Sequence, residues 1–326
     1  MRKPKYLSPT SVSKFYSDRE EFYLSYMADN RPPRLPQTQP MAIGSAFDAF
    51  VKNYLVMMLH GKVDPRFEIE AIFEEQVEEH NRDWAFENGE HCFNLYKESG
   101  ALADLMIELE HALEEPKFEF TVEGRVAHED IIDGIPLLGK PDVFFITKQG
   151  NRVILDWKVN GYCSKRPTSP KKGYLKVRGG PKDAGQPHKD CQMMSVNGME
   201  INIGHTLEDV STDWADQLSI YMWILGEPVG TKTIVGIDQL CGWPQPEGMP
   251  KIRVATHRCR VSSGYQDLLM EKVKGVWQAV TTGQIFDEDN EAKCQLLDQY
   301  HKAFNDPEGK KEWEDWYVDV FRQHKY

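Results

Sequence analysis

Residues 153–161 read VILDWKVNG, a run of β-forming residues interrupted by an acid and a base two positions apart. Side chains alternate across a strand, so Val153, Leu155, Trp157 and Val159 share one face, and Ile154, Asp156 and Lys158 share the other. A carboxylate and an ammonium on a mostly apolar strand are costly to bury unless they hold each other or something else. Upstream, LLGKPDVFF (137–145) places Asp142 in the preceding strand. A hairpin closed by Lys148–Gly150 or by Gln149–Asn151 sets Asp142 opposite Asp156 or Lys158, on the polar face in either register. Directly opposed residues have Cβ atoms about 4.5–5.5 Å apart. Two carboxylates so close repel strongly unless a cation lies between them. Oxygen ligands suit Mg2+ or Mn2+, which bind through one or two carboxylates and keep water and substrate phosphates in the rest of their shell. A lysine beside such an ion can orient or help deprotonate an attacking water, and can offset charge on a scissile phosphate. Seen alone, Asp156 and Lys158 read as a same-face ion pair, and the Pro141-Asp142 step at hairpin distance makes them a candidate site.

The composition sets the frame for that site. The chain has 326 residues, 40% hydrophobic, 28% charged and 11% aromatic, as expected of a soluble globular protein. No apolar run approaches the roughly 20 residues that cross a bilayer. The opening MRKPKYLSPT lacks the apolar core of a signal peptide. Six cysteines without close pairs argue for a reducing compartment and against a zinc ribbon, so the expected location is cytoplasmic, with no membrane partner. The net charge of −12 is unevenly spread. Residues 68–115 hold 15 acidic and two basic residues, a local −13, so the rest of the chain sits near +1. Between Lys158 and Lys182 there are eight basic residues and no acidic one. Placed directly after the Asp156/Lys158 strand, this run is expected to contact phosphates through Lys165, Arg166, Lys171, Lys172, Lys176, Arg178 and Lys182. Tyr162 and Tyr174 would stack on unpaired bases.

Along the chain, YLSPTSVSKFYSDREEFYLSYM (6–27) reads as a helix entered through Ser8 with Pro9 in its first turn. MAIGSAFDAFVKNYLVMML (41–59) reads as a second helix, apolar nearly all round and so buried. The acidic stretch to Pro116 reads as a solvated helical lobe without chemistry. From Phe118 three β-rich runs, punctuated by turns at Asp133-Gly134 and Gln149-Gly150, predict a three-stranded antiparallel meander ending at Val159. Residues 160 to about 210 read as a basic insertion with little regular structure, which in a compact domain is usually functional. A helix follows over STDWADQLSIYMWILG (211–226), then strands in TKTIVGIDQLCG (231–242) and KIRVATHRCRV (251–261), then helices to the end.

GKPD, then DWK, then a basic excursion, then QLSIY on a helix resembles the PD-(D/E)XK nuclease superfamily, specifically its RecB-like exonuclease branch. Gln217 and Tyr221 match the Gln-x-x-x-Tyr of that branch; four apart, they share a helix face and would contact DNA or steady the lysine. SPTSVSKFYSDREEFYLSY (8–26) is similar to the opening helix of the family and IGSAFDAF (43–50) to its first motif, so the likeness spans roughly residues 8–50 and 119–240. It implies an α/β fold with a restriction-endonuclease-like core (αβββαβ, a mixed central sheet flanked by helices) and helical additions at both ends. A single nuclease domain over 1–326 would divide into a helical N-terminal segment over 1–117, a catalytic core over 118–260 and a helical C-terminal segment over 261–326. The likeness implies Mg2+ or Mn2+ held by Asp142, Asp156 and the backbone carbonyl of Trp157, with Lys158 positioning the water. Asp48 stands where the family usually has a histidine ligand and is read as a third ligand; Glu123 stands where some members carry an acid. The iron–sulfur members of the branch have a cysteine after the opening helix, where FYSDREEF stands here, so no cluster is expected. The implied function is a metal-dependent DNA exonuclease of recombination, repair or replication, acting with recombination or replication proteins; the compact size fits a phage-encoded enzyme. The rivals are a structure-specific endonuclease and an inactive DNA-binding or assembly subunit.

Overall fold

The computed structural model describes residues 1–29, 36–61, 64–119, 122–128, 131–179, 186–196, 198–226, 233–287 and 289–304. The helices are α1 Pro9–Ser17, α2 Arg19–Phe22, α3 Gln39–His60, α4 Ile69–Gln76, α5 Arg82–Glu98, α6 Ala101–Glu110, α7 Leu207–Val210, α8 Thr212–Ile224, α9 Ser263–Thr282 and α10 Asn290–Phe304. The strands are β1 Lys117–Phe118, β2 Val122–His128, β3 Ile131–Gly139, β4 Val143–Ile146, β5 Arg152–Asn160, β6 Lys176–Arg178, β7 Met193–Val196, β8 Met199–Asn202, β9 Thr233–Trp243 and β10 Lys251–Cys259. The protein is mixed α/β, with a six-stranded sheet ordered β1-β4-β5-β9-β10-β6 and flanked by helices. In this sheet β5 and β9 run parallel, and the other neighbours are antiparallel.

The chain divides into two compact units, and the division is not the linear one expected. Residues 36–122 and 139–266 form one unit; residues 1–35, 123–138 and 267–326 form the other. In the second of these, the Ser8 hydroxyl accepts from the Ser11 N–H and the Ser11 hydroxyl accepts from the Ser8 N–H, a reciprocal cap with Pro9 at the first helical position. The single helix expected over 6–27 is broken at Asp18, which is extended and starts α2, and it ends in a π-helical turn over Tyr23–Met27. Tyr23 donates to Asp298 and packs on Phe286.

In the larger unit, β5 sorts its side chains as the alternation requires. Val153, Leu155 and Trp157 join the core with α3, α5 and α6, whereas Ile154 joins the core beneath α8. Against the expectation that no apolar run approaches bilayer-spanning length, α3 is long and apolar enough to cross a membrane by length and composition, but Ala42, Ile43, Ala46, Phe47, Val51 and Leu55 are buried in this core. The acidic region is likewise no detached solvated lobe: Phe73, Phe93, Tyr96, Leu102 and Leu105 from α4, α5 and α6 complete the same core.

The expected meander is split. Among the described residues β2 and β3 pair with each other in a sheet of their own, and β4 pairs with β5 and β1. Lys140-Pro141-Asp142 separates β3 from β4, and a proline has no N–H to give to a ladder. Gly134 lies inside β3 with φ +67 rather than in a turn, whereas the turn at Gly150 (φ +79) forms as expected. The expected insertion carries more order than its composition suggests, because β6 forms an edge of the main sheet and β7 and β8 form a hairpin.

Candidate active site

The β4–β5 hairpin pairs Val143 with Leu155 and Ile146 with Arg152, leaving Lys148–Gly150 as its loop. The Thr147 N–H donates to Asn151 and the Gly150 N–H to Thr147, which closes the turn. Continuing this register by one residue sets Asp142 across from Asp156, the first of the two expected pairings. The Trp157 N–H donates to Asp142 Oδ2 at 3.2 Å, so the backbone of β5 holds the Asp142 carboxylate in place.

Lys158 and Gln217 complete the pair. Lys158 Nζ lies 2.5 Å from Asp156 Oδ2 and donates to Gln217 Oε1 at 2.9 Å. Gln217 Nε2 donates to Asp156 Oδ1 at 2.9 Å and to the Tyr221 hydroxyl at 3.1 Å. Gln217 and Tyr221 share a face of α8, as their spacing predicts, and the helix starts at Ser211 and gives way before Gly226 (φ +70) as expected. Gly139, in the GKPD stretch, makes room for Tyr221: a Cβ there would stand 2.7 Å from the ring. Asp48, Asp142, Asp156, Trp157, Lys158, Gln217 and Tyr221 all line one cleft of about 260 Å³, together with Ser45, Gln76 and Lys140.

A residue that the sequence reading passed over sits behind this cleft. Lys52, one turn after Asp48 on α3, is 1% exposed, and its ammonium lies 2.5 Å from Asp48 Oδ2, 3.0 Å from Asp142 Oδ1 and 3.2 Å from Glu119 Oε2. Glu119 also pairs with Lys140 and accepts from Gln76. The signal was available: a lysine inside an otherwise apolar helix needs partners, and Asp48 stands four residues before it.

Burial and charge set the protonation of these groups. Burial, reinforced by the Asp142 charge, pushes Asp156 above the usual carboxylate range, against the opposing pull of Lys158. Burial pushes Asp48 up as well, opposed by Lys52 and reinforced by Asp142. Asp142 moves the other way: burial is outweighed by the Lys52 and Lys158 ammonium groups and by the Trp157 N–H. Burial works against the charged form of Lys158, but Asp156 outweighs it and keeps the side chain an ammonium. Burial lifts the Tyr221 hydroxyl to about 12, with the Asp156 charge adding to it. A pair of acids that cannot both ionise comfortably is what a divalent cation would relieve.

Asp142 and Asp156, on one cleft, are oxygen donors of the kind that could hold a hard ion. Asp48, expected as a third ligand, lines the same cleft and pairs with Lys52, which also holds Asp142 and Glu119. The side chain of Glu123 and all of Lys182 lie outside the described residues.

Several expected DNA contacts are placed otherwise. Tyr162 is buried and donates to Asn88 at 2.8 Å, so it cannot stack on a base. Arg178 pairs with Asp104 and donates to the Ser99 carbonyl, and Lys176 stands 3.6 Å from the same Asp104. Both are carried by β6 toward α6, which the linear charge pattern hides. Tyr174 is half-buried, edge-on to His188 and His257. Lys165, Arg166, Lys171 and Lys172 are exposed, with the Lys171 ammonium 6.0 Å from the ring of Trp214 on α8.

No family model and no curated protein matches this chain. Among solved structures it is similar to one titled "Crystal structure of SSO0001", at 10% identity over 82% of this chain and 84% of that one, with a TM-score of 0.26.

Proposed function

We propose that this protein is a Mg2+- or Mn2+-dependent deoxyribonuclease with a restriction-endonuclease-like core, acting as an exonuclease in recombination, repair or replication. The observation that carries the reading is the grouping of Asp142 from just before β4, Asp156 and Lys158 from β5, and Gln217 and Tyr221 from α8 on a single cleft. Asp142, Asp156 and the Trp157 carbonyl would hold the ion, which would supply Lewis-acid polarisation of a phosphate oxygen and a more acidic bound water. Lys158 remains an ammonium beside Asp156, so its role is that of a fixed positive charge that orients water and offsets phosphate charge rather than that of a base. Gln217 ties Lys158, Asp156 and Tyr221 together, fixing the lysine where the phosphate would sit. Lys165, Arg166, Lys171 and Lys172 supply exposed positive charge for the DNA backbone.

The second reading, a DNA-binding or assembly subunit without turnover, draws on the Lys52 ammonium that already pairs with Asp48, Asp142 and Glu119. End-labelled linear DNA, single- and double-stranded, incubated with Mg2+ and with Mn2+ beside a closed single-stranded circle separates the readings. Ion-dependent loss of linear DNA with the circle intact is expected. Cleavage of the circle would make the protein an endonuclease, and binding without cleavage of any substrate would overturn the enzymatic reading.

A further inference from the structure

We infer that the centre takes one divalent ion and not two, because the place where its acids would gather a second is filled by an ammonium of the chain itself. The inference rests on the metal-dependent reading above.

Lys52 Nζ meets one oxygen from each of three carboxylates: Asp48 on its own helix, Glu119 just after β1, and Asp142 just before β4. An ammonium has three N–H donors, so this arrangement uses its full capacity. Three acid oxygens from separate elements converging on one buried point would otherwise be a candidate divalent-ion position. Here the cation filling it is covalently tethered and cannot be exchanged or chelated away. Lys52 and Glu119 are not among the residues that line the cleft, so the ammonium closes the rear of the acid group while Asp142 and Asp156 face the opening.

The charges agree. Asp48, Glu119, Asp142 and Asp156 carry four negative charges when ionised, and Lys52, Lys140 and Lys158 carry three positive ones in contact with them. One divalent ion takes this cluster from −1 to +1, and a second would take it to +3. Uncompensated charge in a largely buried cluster is strongly unfavourable. Lys52 is thus a positioning residue: it directs Asp142 and Asp48 and limits the number of ions, without reaching the cleft itself.

The test is to titrate the full-length protein with Mn2+ and count bound ions from the loss of the free-ion electron paramagnetic resonance signal. The wild-type chain is expected to saturate at one ion. Lys52→Ala, which removes the ammonium and leaves space behind the acids, is expected to saturate at two. A wild-type count of two, or a folded Lys52→Ala that still stops at one, overturns the inference. A wild-type count of zero overturns it together with the metal-dependent reading beneath it, so the two failures differ in the number read. Should Lys52→Ala not fold, Lys52→Ser, which also removes the ammonium and leaves space, is counted in its place with the same two outcomes. A merely structural role for Lys52 would alter stability and leave both counts at one.

Discussion

Behind Trp157 lies a buried polar chain that should dominate the stability of the larger unit. Trp157 Nε1 donates to the Tyr96 hydroxyl at 3.3 Å, Tyr96 donates to Asp238 Oδ2 at 2.6 Å, and Arg258 Nη1 donates to Asp238 Oδ1 at 2.9 Å. Asp238 is 1% exposed and Arg258 3%, so neither charge can be solvated if the other is removed. Arg258→Met leaves the Asp238 carboxylate with the Tyr96 hydroxyl as a hydrogen-bond donor and no counter-charge, and breaking a buried pair in this way costs about 3–5 kcal/mol. That is a large share of the roughly 5–15 kcal/mol that holds a domain together. Removing Asp238 as well, in Arg258→Met/Asp238→Leu, lifts the burial penalty of that stranded acid, leaves only Glu108, 3.8 Å from Arg258, without its partner as in the single variant, and is expected to recover about 2 kcal/mol or more of the loss. Urea unfolding followed by tryptophan fluorescence reads both effects as shifts in midpoint at constant slope. A single variant that loses less than about 1 kcal/mol, or a double variant no more stable than the single, would refute the reasoning.

Other outcomes follow from the same geometry. Burial, aided by the Arg258 charge, pushes His257 from 6.5 down to about 3, so the folded state needs the neutral imidazole. Its contribution is complete above the unfolded value and is lost as pH falls from about 6.5 toward 3. His257→Gln should flatten the acid limb of a stability–pH curve in that window, and an unchanged limb would refute the assignment. Gln217→Ala should lower metal-dependent DNA turnover by about 10–100-fold with little change in melting temperature, because it frees Lys158 and Asp156 from a shared partner; full activity would remove Gln217 from the site. Tyr162→Phe strands the buried Asn88 acceptor, so it should cost about 1–2 kcal/mol of stability and leave DNA affinity unchanged; weakened DNA binding in a stable variant would return Tyr162 to the interface.

What the sequence disclosed follows the range of each interaction. Asp142, Asp156 and Lys158 were legible because a short hairpin and a period of two place them by local geometry alone. Gln217 and Tyr221 were singled out by the resemblance to a Gln-x-x-x-Tyr motif, and their spacing of four on a helix with clear end signals put them on one face. Lys52 was legible only in part: Asp48 stands four residues before it, but Glu119 and Asp142 stand 67 and 90 residues away and no local pattern joins them to it. Tyr162 and Arg178 were misplaced for the same reason: their partners Asn88 and Asp104 lie in the acidic stretch, 74 residues from each. A basic loop and a basic sheet edge have the same composition, and only the pairing of β6 with β10 tells them apart.

Whether Asp142, Asp156 and Lys158 form one hydrolytic centre is tested most directly by DNA turnover of Lys158→Ala at saturating Mn2+, with its melting temperature and bound-ion count measured alongside. Losing Lys158 is expected to cut turnover by about 10²–10³-fold while the protein still folds and binds its ion. A Lys158→Ala protein that degrades DNA at the wild-type rate would contradict a hydrolytic role for this centre.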